Sequence, residues 1–86
     1  MARDQRDKMG YLLAIADLQA RCARLMLEAD QLKQRGQLPE ASAAYESLAG
    51  LLHRQLDTTR EHNQDFPETS IDTRPLIEQL VNTLLT

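Results

Sequence analysis

Between Tyr11 and Leu56 the apolar residues keep a helical spacing that is broken once, at Gly36-Gln37-Leu38-Pro39. On the first side of that break, Tyr11, Ile15, Leu18, Cys22, Leu25, Ala29 and Leu32 recur at alternating steps of four and three, which places them on one face of a helix. Lys33 and Arg35 suit the C-terminus of that helix, and Gly36 tolerates the left-handed conformation that ends it. Pro39 then fits the first turn of a second helix, with Glu40 favourable beside it. The second helix is predicted from about Pro39 to about His62, with Ala41, Ala44, Tyr45, Leu48, Leu51, Leu52 and Leu56 on its apolar face. So short a link folds the two helices back as an antiparallel hairpin.

The first helix carries a second apolar stripe, Leu13, Ala16, Ala20, Ala23 and Leu27, on nearly the opposite side. Its charges are gathered in a narrow band of Asp17, Arg21, Arg24 and Glu28. A helix apolar on two sides wants a neighbour on each, and alanines let a neighbouring backbone come close. Gly10 marks where residues 1–10 are expected to fray or turn. Beyond the hairpin, Pro67 and the polar run before it predict a linker or crossing loop over residues 63–71. A short C-terminal helix follows over residues 72–86, capped by Asp72 or Thr73, with Pro75 in its first turn. Its apolar face is Leu76, Ile77, Leu80, Val81, Leu84 and Leu85. About a dozen residues make a marginal helix alone, so this one must dock. The free stripe of the first helix is the expected place, which would make the first helix central. The fold class read from these patterns is all-α: one domain over residues 1–86, a helical hairpin closed by a short third helix.

Length and composition narrow the function. Eighty-six residues with one Phe, two Tyr and no Trp leave a core of Leu, Ala, Ile and Met. A chain of this size buries only about 60–65% of the surface its unfolded form exposes, so a partner or a second copy would add burial that the monomer lacks. The net charge of −3 comes from thirteen acidic residues dispersed among ten basic ones, a poor match to a phosphate backbone, and no nucleic-acid partner is expected. The charged start does not resemble a signal peptide, and no apolar run approaches the ~20 residues that span a bilayer. A cytoplasmic protein without membrane insertion is expected.

Chemistry-bearing residues are few. Glu46, His53 and Asp57 share one side of the second helix, and the i,i+4 spacing of His53 and Asp57 suits a metal-ligand pair. Zinc wants three or four good ligands, and a solvated helix face accounts for the same residues. Cys22 falls on the core stripe, where a thiol acts as a small hydrophobe. Ser42, Ser47 and Ser70 have no His–acid arrangement, and the glycines Gly10, Gly36 and Gly50 stand apart rather than forming a phosphate loop. No catalytic, cofactor or metal site is expected, and the chain reads as no enzyme.

The stretch from Leu25 to Leu52 resembles the helical hairpin of tetratricopeptide repeats. Ala29, Gly36, Ala41 and Tyr45 occupy that family's small, turn, small and aromatic places, and Leu48 stands where a small residue is usual. The same residues are similar to the microtubule interacting and transport domain, a three-helix bundle that binds helical peptides. In size, acidity and hairpin shape the chain also resembles the small co-chaperones of bacterial type III secretion. Together with the second apolar stripe, these resemblances imply an adaptor or chaperone-like subunit whose partner is another protein or a second copy; the alternatives are a structural homodimer and a metal- or ligand-binding regulatory bundle using Glu46, His53 and Asp57. The residues expected to meet that partner are Leu13, Ala16, Ala20, Ala23 and Leu27 of the first helix, with Leu80 and Leu84 of the third.

Overall fold

The computed structural model describes residues 5–85, all in helices or the links between them. Helix α1 spans Gln5–Gln34 and helix α2 spans Leu38–Asp65. A single 3-10 turn at Pro67–Thr69 reverses the chain into helix α3, Arg74–Leu84. This is the all-α hairpin with a short third helix.

Gly36 makes the fold-back. It sits at φ +76, a region that side-chain-bearing residues rarely adopt. The Gly36 N–H donates to the Lys33 carbonyl at 3.1 Å and the Gln37 N–H to the Leu32 carbonyl at 3.0 Å. These two bonds are the Schellman closure, which satisfies carbonyls that the end of α1 would leave open. Pro39 lies within the first two positions of α2, where its missing N–H costs nothing.

The seven residues of the α1 core stripe all point into the hairpin: Leu18, Cys22 and Ala29 are buried and the other four half-buried. Facing them on α2 are Ala41, Leu48, Ala49, Leu52 and Leu56, all buried. Cys22, Leu48 and Leu52 form the central cluster, and Leu76 and Leu80 of α3 pack against it. The alanines Ala29 and Ala41, both essentially inaccessible, bring the two helices close near the turn. Two tyrosines lash the hairpin across its length. Tyr11 of α1 donates its hydroxyl to Asp65 of α2 at 2.7 Å, and Tyr45 of α2 donates to Asp30 of α1. Both pairs are centred on the Gly36–Pro39 turn, so they report one register from opposite ends.

Three expectations are corrected. The chain does not fray at Gly10, because α1 runs through it from Gln5; residues 1–4 lie outside the described residues. A lone interior glycine costs only about 1 kcal/mol of helix propensity. Here the turns on either side are anchored, Lys8 lying over the Phe66 ring at 5.8 Å and Tyr11 edge-on to His62. Helix α2 also runs past the expected end at His62 into the predicted linker, continuing to Asp65, and His62 is 1% exposed. Finally, α3 docks on α2, with no close backbone approach to α1. The second helix is therefore central, and the outer stripe of α1 is left uncovered.

The docking of α3 starts from one side chain. Asn63 donates Nδ2–H to the Ile71 carbonyl and accepts the Ile71 N–H at Oδ1, each at 2.8 Å. This two-pronged clamp ties the segment before α3 to the end of α2. Asp72 then accepts the Arg74 N–H at 3.0 Å, satisfying one open donor of the α3 first turn. The Arg74 guanidinium and its backbone N–H hold the Asp72 carboxyl below its ordinary range.

Candidate interaction surface

The stripe Leu13, Ala16, Ala20, Ala23 and Leu27 is exposed at every position. Leu13 is 64% exposed and Leu27 61%, and Met9 extends the row by another turn at 56%. From Met9 to Leu27 the row is about 27 Å long at 1.5 Å per residue. It is continuous because α1 is one unbroken helix, and it faces outward because the opposite stripe is fixed against α2. Along one flank stand Asp17, Arg21, Arg24 and Glu28, all exposed. Asp17 and Arg21 pair at 3.1 Å one turn apart. Apolar rows of this length on a surface mark a contact for another macromolecule more often than ordinary exposed leucines do.

The two expected partner-facing residues of α3 are divided. Leu80 is half-buried and packs on the Cys22–Leu48–Leu52 cluster. Leu84 is exposed and stands with Leu38 at the rim of a shallow groove beside the hairpin turn. Ile77 and Val81 are also exposed. With Leu80 committed to the core cluster and Leu84 beside the hairpin turn, the structure does not unite the seven expected residues into one patch.

The candidate chemistry sits elsewhere. His53 and Asp57 form an exposed contact at 3.3 Å, and Glu46 lies two helical turns away from His53. Among the described residues, no three His, Cys, Asp or Glu groups are placed to hold a metal ion. Cys22 is buried, and burial pushes its thiol above the ordinary value, which makes it a poor nucleophile. Among the described residues, no helix is long and apolar enough to cross a membrane.

Sequence reasoning missed an aromatic corner at the open end of the hairpin. His62 and Phe66 rings stack at 5.6 Å, and Tyr11 meets both edge-on, at 6.0 and 6.4 Å. Leu52, Thr59, His62 and Phe66 continue a helical spacing, but the polar identities of Thr59 and His62 hide it. Asn63 Oδ1 lies 3.0 Å from His62 Nδ1. Because Ile71 fixes the Asn63 amide so that Oδ1 accepts, Nδ1 is the donor. The other ring nitrogen, Nε2, is buried without a partner.

The corner has a pH signature. The Tyr11 phenol is pushed from 10.0 up to about 12, first by its hydrogen bond to Asp65, then by burial and the negative charges of Asp65, Glu61 and Asp7. A value raised in the folded state means that the bond supports the fold below pH ~10 and is lost as the pH climbs through the folded value. In a Tyr45→Phe background, tyrosinate absorbance is expected to rise with a midpoint near 12, and adding Asp65→Asn should bring it back towards 10. An unmoved midpoint in Asp65→Asn would show that the pair does not form in solution.

No protein family, curated protein or solved structure matches the chain, so its own surface alone bears on function.

Proposed function

We propose that this protein is a small non-enzymatic interaction module, an adaptor or chaperone-like subunit of the cytoplasm that works through helix–helix contacts. One observation carries the reading: the outer stripe of α1 is exposed at every position because α3, the segment expected to cover it, sits on α2. Burying Leu13 and Leu27 against a partner helix would contribute about 1.5–3 kcal/mol each. Association itself costs some 4–15 kcal/mol, so two leucines do not suffice. The alanines between them supply the remainder by letting two helix backbones approach closely along the whole row. Charges of both signs beside the stripe favour a protein helix over a nucleic acid.

Ala20, at the centre of the row, is the point of test. Ala20→Glu puts a long charged side chain where the backbones must meet, yet touches nothing inside the hairpin. Tagged wild-type protein and the variant are compared by affinity capture from the native host, with circular dichroism as the control for folding. A protein held by wild type and lost from Ala20→Glu at unchanged helicity is the expected result. Identical captures would remove the stripe from the function.

A further inference from the structure

The geometry points to a second site, a cleft between α1 and α3 that takes a small uncharged aromatic molecule bearing a carboxamide. It borders the outer stripe of α1 only at Ala23 and does not depend on the helix-docking reading. Because α3 packs on α2 and makes no close backbone approach to α1, the two outer helices stand open over α2. The space between them is about 410 Å³, within the roughly 300–1,000 Å³ of small-molecule sites. Ile15, Cys22 and Met26 of α1 form one wall, with Ile71, Pro75 and Leu76 opposite. The floor is Gln55 and Thr59 of α2.

Gln55 carries the assignment. The residue is only 6% exposed, and its backbone carbonyl accepts the Thr59 hydroxyl at 2.7 Å. Its side-chain amide offers an N–H donor and a carbonyl acceptor side by side, and neither has a hydrogen-bond partner among the described residues. Buried polar groups are nearly always paired, so this one calls for a group from outside the chain. A second amide is the match, because it donates to Oε1 and accepts from Nε2–H at once. A carboxylate only accepts and an ammonium only donates, so each answers half.

The walls set the rest of the ligand. Asp72 is the one ionised residue on the lining, and the Arg74 guanidinium already holds its carboxylate at 2.9 Å. No free charge is left there to select an ion. Cys22 and Met26, both sulfur-bearing, lie on the same wall, a setting that favours an aromatic ring. A peptide chain carries a donor and an acceptor at every residue, whereas this floor answers one pair. A small molecule with a single amide therefore fits better than a partner's backbone.

Titration of the isotope-labelled full-length chain with benzamide, benzoate and benzamidine, followed by NMR, tests this, because the three share one planar shape. Benzamide should move the Gln55 side-chain amide signals with a Kd of about 1 mM, the affinity open to a molecule of its size. Benzoate, with acceptors only, and benzamidine, with donors only, should bind about tenfold more weakly. Gln55→Leu keeps the bulk and removes the amide, and benzamide should lose its advantage over both ions there. Should that variant fail to fold, the ranking in wild type still decides. No response to benzamide leaves Gln55 to water alone and overturns the site. Equal responses to all three overturn amide recognition, as does an advantage of benzamide that persists in Gln55→Leu. Tighter binding of blocked tetraalanine than of benzamide gives the cleft to a peptide chain and overturns the small-molecule assignment.

Discussion

Leu52→Ala is expected to lower the unfolding free energy by about 3 kcal/mol, within the 2–5 kcal/mol span for buried leucines. Leu52 is 1% exposed and belongs to the cluster with Cys22 and Leu48, on which Leu76 and Leu80 also close. Its side chain therefore touches the seam where all three helices meet, and truncation loosens every pairwise contact at once. The effect is large against the whole: a domain of this length is held by about 4–13 kcal/mol in total. Urea unfolding followed by circular dichroism should show the midpoint falling at an unchanged slope, with part of the variant unfolded at 37 °C. Leu13→Ala is the internal comparison. The same atoms are removed from an exposed site, and a change within about 0.5 kcal/mol is expected. A loss below 1 kcal/mol in Leu52→Ala would mean that the three helices are not organised around this cluster.

The contrast between those two leucines shows what spacing alone reveals. Tyr11 to Leu32 could be read as the inner stripe because seven apolar residues kept one helical face. The Leu13–Leu27 row could be read as a second face for the same reason, and Gly36 as a left-handed terminator. Spacing does not say which face receives which neighbour. The apolar side of α3 fits the outer stripe of α1 as well as it fits the α1–α2 seam, and periodicity is blind to the difference. What decides is a polar contact eight residues apart, Asn63 to Ile71, which no hydrophobic pattern displays. The aromatic corner was hidden in a related way. His62 and Thr59 are polar by type, and the run Arg60-Glu61-His62-Asn63-Gln64-Asp65 reads as a solvated end. The rings of Tyr11 and Phe66, brought together at the open end of the hairpin, close over His62. The exposed stripe was thus legible as a surface, while its freedom to act as one depends on where Asn63 sends α3.

Asn63→Ala is accordingly the substitution expected to undo the third helix. It removes both hydrogen bonds to the Ile71 backbone and the acceptor beside His62 Nδ1. Each group left unsatisfied away from water costs about 1–3 kcal/mol; Ile71 is only half-buried, so water recovers part of this and the total is expected near 2–3 kcal/mol. The consequence is local before it is global. An eleven-residue helix does not persist unsupported, and Leu76 and Leu80, with the buried Thr83, must then hold α3 against the hairpin. Hydrogen exchange should show the α3 amides losing protection while the Leu18–Leu32 and Leu48–Leu56 amides of the hairpin keep theirs. Once α3 leaves, the Cys22–Leu48–Leu52 cluster gains a second exposed apolar face, and the variant should self-associate non-specifically even when Ala20→Glu blocks the α1 stripe. Unchanged protection of α3 in Asn63→Ala would assign its docking to Leu76 and Leu80, and the side-chain clamp to a bystander.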